Sequence, residues 1–315
     1  MSPPQTSWLF SAVFAILVLA WALAALLKAR LSPDGQNVLV ENLAARIGAW
    51  WAIAALLAVA MLGGRGGVVT LFAIISFAAL REFATLTAKT RADHWALVAA
   101  FFVILPVQYF LVYMDWYRIY SVFIPVYGFL YLPVLSAIRN SEPEHFLARV
   151  SENQWGLMIC VYAASHVPAL MALHLEGDAA NGILLIAFLV IIVQLTDTLQ
   201  YVWSALWGRH PMAPALSASK TWEGFTGAVA TGAALGAALW WLTPFSPLAT
   251  MALGAVISAT GLFGALVMSA IKRGKGVRDW GQLVAGQGGF IDRLDGVVFA
   301  APVFFHLVRF FWASM

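Results

Sequence analysis

Apolar residues along this chain fall in long unbroken runs, with neither the two-residue alternation of a half-buried strand nor the single stripe of an amphipathic helix. Ten runs, over residues 8–27, 47–63, 67–80, 95–113, 118–138, 155–175, 182–206, 222–242, 247–268 and 296–313, approach the ~20 residues that a membrane-spanning helix takes. The third is short and continues through Arg81 and Glu82, which a spanning helix accepts where those side chains face protein or snorkel. The pattern predicts an all-α fold, a polytopic transmembrane bundle of about ten helices.

The basic residues sort themselves against this frame. Loops after the first, third, fifth, seventh and ninth runs hold Lys28, Arg30 and Arg46, then Arg81, Lys89 and Arg91, then Arg139 and Arg149, then Arg209 and Lys220, then Lys272, Arg273, Lys275, Arg278 and Arg293. Only Arg65, Arg118 and Arg309 fall elsewhere. Cytoplasmic loops carry the Lys/Arg excess, so these odd loops are expected in the cytoplasm and both termini outside. Residues 1–7 lack a basic leader, so the first run is expected to stay as a helix.

Composition agrees: 62% of the 315 residues are hydrophobic and 10% charged, against about 25% charged in a soluble domain. The lone Cys160 excludes a disulfide framework within the chain. The six histidines show no metal-ligand spacing, and no basic tract with interleaved aromatics suggests nucleic acid. Gly232 and Gly236 have the small-xxx-small spacing of close helix packing. A soft division separates an N-terminal transmembrane bundle, residues 1–180, from residues 181–315, where the unusual polar residues collect.

Two polar segments stand out. In the first, residues 197–224, Asp197 lies within or at the end of an apolar run, and an intramembrane carboxylate usually faces a polar cavity. Ser217, Ser219, Lys220 and Thr221 follow, with Glu223 opening the next run. Hydroxyls, an ammonium and helix N-terminal amides suit an anion such as phosphate. A capping box would need Ser or Thr three residues before Glu223, and that position is Lys220. In the second, residues 269–295, Lys272, Arg273, Lys275 and Arg278 could hold a polyphosphate or an anionic headgroup. Its glycines, among them Gly281, Gly288 and Gly289, let backbone approach a ligand. Asp292 and Asp295 are three apart, hence on one helical face, and two hard oxygen ligands suit Mg²⁺.

The second segment resembles the phosphatidate cytidylyltransferase signature, S-x-x-K-R, K-D, H-G-G and D-R-x-D, through Ser269, Lys272-Arg273, Arg278-Asp279, Gln287-Gly288-Gly289 and Asp292-Arg293-Leu294-Asp295. The first resembles the family's Asp-led helix and S-P-x-K-T-W-E-G loop, ungapped. The family usually has Gly-Asp four residues before the signature serine, where this chain has Gly264-Ala265; His becomes Gln287, and the loop proline becomes Ala218. An alanine cannot coordinate a cation.

The resemblance implies that a phosphatidate phosphate attacks the α-phosphorus of CTP, giving CDP-diacylglycerol and pyrophosphate. It implies Mg²⁺ as cofactor, held by Asp292 with Asp295 and Asp279. It places Lys272, Arg273, Asp279 and Asp292 at the chemistry. Asp197, Ser217, Lys220, Thr221, Glu223, Ser269, Arg278, Gln287, Gly288, Gly289 and Arg293 would bind the substrates. The expected partners are CTP, phosphatidate or a related anionic lipid and the bilayer of a bacterial inner membrane, with a homodimer allowed. Two alternatives stay open: a member that binds lipid or nucleotide without turnover and serves a partner protein, and a transporter, which the clustering of charge at one face disfavours.

Overall fold

The computed structural model describes residues 3–31, 38–87, 93–139, 145–175, 182–281 and 288–313. Each expected apolar run lies on a helix, in the order α1 (Pro3–Leu31), α2 (Val38–Leu62), α3 (Gly64–Leu86), α4 (Asp93–Tyr113), α5 (Tyr117–Ile138), α6 (Phe146–Ala172), α7 (Gly182–Trp207), α8 (Trp222–Ala238), α9 (Pro247–Gly274) and α10 (Phe290–Trp312). Seven of them, α3 to α7, α9 and α10, are long and apolar enough to cross a membrane among the described residues. Large apolar side chains such as Leu19, Phe102, Leu206 and Phe310 face outward, a surface that lipid accepts and water does not. The chain is a multi-pass helical membrane protein.

Helix ends extend beyond the apolar runs wherever polar residues add a helical turn. α2 begins at Val38 instead of 47, α6 at Phe146 instead of 155, and α10 at Phe290 instead of 296. Hydropathy marks the part of a helix that needs lipid, whereas the backbone ladder continues as long as its bonds close. α3 runs through Arg81 and Glu82 to Leu86.

The chain divides into two compact units, Met1–Leu71 and Phe72–Met315. In the first, α1 packs on α2, with Phe14 edge-on to Trp51 at 5.4 Å. The second holds the polar segments. Gln108 on α4 donates to the Tyr120 carbonyl on α5 and to Ser165 on α6, and the Tyr162 hydroxyl donates to the Ser121 carbonyl. Such bonds matter where no water can substitute for them. α4, α5 and α6 each contain a wide π-turn, at Ala100–Ile104, Phe123–Gly128 and Met158–Ala163. Pro106, Pro125 and Pro168 lie within or just beyond them, where the missing N–H breaks the regular ladder.

α7, α8, α9 and α10 pack on one another through glycines. A Cβ at Gly232 would lie 1.9 Å from the Ser258 hydroxyl, and one at Gly254 would lie 2.4 Å from the Gly232 carbonyl. The Gly232/Gly236 face therefore does what its spacing predicts, drawing α8 onto α9. Between α7 and α8 the chain forms a small antiparallel hairpin that the apolar pattern does not announce, β1 (Pro211–Ala213) and β2 (Ser217–Thr221), with Pro211 opposite Thr221 and Ala213 opposite Ser217.

Candidate active site

Lys272 and Arg273 sit in the last turn of α9, where cations complement the helix dipole. The chain leaves α9 through Gly276, at φ +69°, and returns to α10 through Gly288, at φ +77°. Asp292, on the first turn of α10, ties the two ends together. Its Oδ1 accepts from Lys272 Nζ at 2.8 Å, and its Oδ2 accepts from the Trp280 and Gly289 amides, both at 2.9 Å. The ion pair is largely buried, with side chains 15% and 11% exposed. Gly288 is required twice over, by its left-handed backbone and because a Cβ would lie 2.4 Å from Asp292 Oδ2.

One turn further along α10, Asp295 shares a second set of charges with Asp197 of α7 and Lys220 of β2. Burial pushes the Lys220 ammonium below its ordinary pKa; Asp197 and then Asp295 pull it back up, and Lys272 pushes it down. Two carboxylates and two ammonium groups, drawn from α7, β2, α9 and α10, thus lie within one electrostatic field. Strand alternation in β2 puts Lys220 on the face opposite Ser217, Ser219 and Thr221; the two serine hydroxyls lie 3.4 Å apart.

Thr221 and Glu223 have local partners. The Thr221 hydroxyl caps α8, accepting from the Gly224 amide at 3.1 Å and donating to Ser204 at 3.0 Å. The cap is thus one residue beyond the Lys220 position that a capping box would use. Glu223 accepts from the Arg209 and His210 amides and pairs with the His210 ring, fixing the turn into the hairpin. Ser269 donates to the Ala265 carbonyl at 2.7 Å within α9. Arg273 donates to the Val277 carbonyl at 3.2 Å, and it is exposed, as are Arg278 and Asp279. The Arg293 carbonyl receives the Gln194 amide at 3.5 Å. Gln287 lies outside the described residues.

The structure therefore brings together Asp197, Lys220, Lys272, Asp292 and Asp295, and sets Arg273, Arg278 and Asp279 on an exposed rim. It also brings in residues that the two polar segments do not contain. Glu82 accepts from the amides of Phe290 and Ile291, Phe83 stacks on Trp280 with centroids 5.2 Å apart, and Glu152 pairs with Lys275. For Glu82 a signal existed: an ionisable side chain within a spanning helix points to a partner or a site by default. Among the described residues no three carboxylates, imidazoles or thiols form a closed metal cage. Mg²⁺ asks for less, one or two carboxylates with the rest of its shell from water and substrate phosphate. The Asp197–Asp295 pair fits that demand better than Asp292, both of whose oxygens already have protein donors.

Known proteins have related sequences. The chain matches YnbB of Escherichia coli strain K12, described only as an uncharacterized protein, with 35% identity over 95% of this chain and 96% of that one. It is 39% identical to the phosphatidate cytidylyltransferase of Mycobacterium leprae over 54% of this chain and 50% of that protein. It is 31% identical to the phosphatidate cytidylyltransferase of Staphylococcus aureus strain COL over 49% of this chain and 61% of that protein. The chain thus spans about half the length of the named cytidylyltransferases it matches. The sequence profile of the cytidylyltransferase family covers residues 44–311, taking in both polar segments and the helix that carries Glu82. The chain belongs to the cytidylyltransferase family.

Proposed function

We propose that the protein transfers the cytidylyl group of CTP to a membrane lipid phosphate. An oxygen of phosphatidate, or of a related anionic lipid, forms a bond to the α-phosphorus of CTP. The bond from that phosphorus to the β-phosphate oxygen breaks, giving CDP-diacylglycerol or a related CDP-lipid, and pyrophosphate. Catalysis of such a step is mostly positioning and charge stabilisation. The carrying observation is the cluster of Lys220 and Lys272 with Asp197 and Asp295, where a hairpin and three membrane helices meet. Lys220 and Lys272 neutralise phosphate oxygens, and Arg273 and Arg278 on the rim draw in the triphosphate or the headgroup. Asp292 holds Lys272 and the loop. Mg²⁺, when bound, would be held by Asp197 and Asp295 and would neutralise charge on the triphosphate. In this reading residues 181–315 carry the reacting groups, and α3 and α6 brace them.

Purified protein in mixed micelles is expected to move radiolabel from α-labelled CTP into lipid when given phosphatidate and Mg²⁺. A second reading, a member that binds lipid or nucleotide for a partner without turnover, is favoured by Ala265 alone. It predicts saturable CTP or lipid binding with no label in lipid at any Mg²⁺ concentration.

The chemistry belongs on the cytoplasmic face of the inner membrane, where CTP is found. Cysteines at Ala215 or Gly274 should react with an impermeant maleimide only in inverted vesicles, and cysteines at Gly177 or Pro244 only in intact cells. Labelling of positions 215 and 244 from the same side would remove α8 as a crossing and with it the proposed sidedness.

A further inference from the structure

Glu82 touches the loop machinery at four points. Its Oε1 accepts from the Phe290 amide at 2.9 Å, and its Oε2 from the Ile291 amide at 3.1 Å. These are first-turn donors of α10, which have no partner within the helix. They form the kind of site that draws phosphate to a helix N-terminus. The other two points are glycines. A Cβ at Gly289 would lie 2.4 Å from both Glu82 carboxylate oxygens, and one at Gly281 would lie 2.8 Å from Oε1. Gly289 has φ −100° and ψ −167°, extended backbone open to any residue. Glycine is needed there for space, and Glu82 fills that space. The adjoining Phe83 stacks on Trp280, whose amide is bonded to Asp292. Two consecutive residues of α3 thus grip both ends of the 281–289 segment from about 200 positions away.

We infer that Glu82 is a positioning residue for the nucleotidyl-transfer site: an internal carboxylate that takes the α10 N-terminus away from phosphate and fixes Asp292 and Asp295 against Lys272 and Lys220. The inference rests on the function proposed above for its kinetic consequences, though not for its structural ones. With the helix N-terminus taken, the triphosphate is held by the side-chain cations. The charge of Glu82 therefore also selects against anions binding at the wrong place, pyrophosphate among them.

The test uses the full chain in lipid nanodiscs. Glu82→Ala and Gly289→Ala remove the same contact from opposite sides, one by deleting the carboxylate and the other by displacing it. Gly274→Ala is the control, since a Cβ there meets nothing within 4 Å. Without nucleotide, hydrogen exchange at residues 289–292 is expected to rise at least about tenfold in both variants, a local opening, and to stay unchanged in the control. In the CTP assay both variants should lose about ten- to a hundredfold in kcat with KM for CTP little altered, the cost of misplaced groups. Glu82→Gln, which keeps an acceptor oxygen and loses the charge, should be inhibited by pyrophosphate at least about tenfold more strongly than wild type, as the dipole attracts an anion no longer repelled.

Unchanged exchange in Gly289→Ala overturns the contact, and this holds even if Glu82→Ala does not fold. Normal kcat in variants whose exchange has risen overturns the positioning role. Unaltered pyrophosphate inhibition in Glu82→Gln overturns the anion-excluding role. If wild type moves no label from CTP, the proposed reaction fails, while the exchange measurement still decides whether Glu82 holds α10.

Discussion

Asp295→Asn and Asp292→Asn should both cut cytidylyl transfer sharply, and they should do so in distinguishable ways. Asp295 shares the electrostatic field of Asp197, Lys220 and Lys272. Replacing it with a neutral isostere removes one of the two carboxylates proposed to hold Mg²⁺ without disturbing the loop. Turnover should fall at least about a hundredfold, the size of effect seen when a group stabilising transition-state charge is lost. The residual activity should need more Mg²⁺, and the thermal midpoint should barely move. Asp292 is a different case, because its two oxygens serve an ammonium and two backbone amides. Removing one partner of a buried ion pair costs roughly 3–5 kcal/mol, since the other charge is left buried and unpaired. Asparagine keeps one acceptor oxygen, so the lower end of that range is expected. Asp292→Asn should therefore lower the thermal midpoint in detergent, speed amide exchange at Trp280 and Gly289, and lose turnover as a consequence. Full activity in Asp295→Asn would take that residue out of the reacting site. Lost activity in Asp292→Asn with both amides still protected would sink its role as the tie of the loop and restore it as a candidate for direct contact with the metal.

The helices were legible because a membrane imposes a single strong requirement, about 20 apolar residues per crossing, and the basic loops test it independently. The placement of Asp292 and Asp295 on one helix was legible from their spacing, and the separation of their tasks was not. Asp292 lies early enough in α10 to bond backward into the loop, whereas Asp295 lies one turn deeper, within the field of Asp197 on α7 and Lys220 on β2. That difference depends on where α10 starts, and apolar content alone placed its start at 296. The hairpin was not read from the sequence, because three- and five-residue strands give little periodicity to read. Glu82 was the larger omission. Its bonds to Phe290 and Ile291 join residues more than 200 apart in the chain, and no local pattern carries that information. The glycines beside it were visible, and read alone they suggest a ligand pressed against backbone. At Gly281 and Gly289 a carboxylate of the protein itself takes that place.

Ala265→Asp is expected to change the Mg²⁺ response of the protein more than any other single substitution. Residue 265 is 5% exposed, and its carbonyl accepts the Ser269 hydroxyl one turn on. Lys272 follows seven residues later, two turns along the same face and about 10 Å away along the axis. Gly261 approaches Gly296, and Gly264 lies against Phe299, so this stretch of α9 runs beside the part of α10 that follows Asp295. A carboxylate placed there enters a buried setting, where its ionised form is costly unless a cation answers it. Without Mg²⁺ the variant should therefore unfold at a lower temperature than wild type. With Mg²⁺ at a hundred times its dissociation constant, binding restores about 2.7 kcal/mol, and the thermal midpoint should recover. If the remaining pocket still accepts CTP, turnover should rise or reach its half-maximum at lower Mg²⁺, because two held cations stabilise both the attacking and the leaving oxygen. Gln287→His alongside should increase the gain. A double variant that regains stability with Mg²⁺ and still moves no label from CTP would mean that the metal site can be rebuilt in a pocket that has left catalysis for binding. Wild-type turnover at ordinary Mg²⁺, unchanged by Ala265→Asp, would mean that the alanine was never a deficit and that the reaction needs no carboxylate at that position.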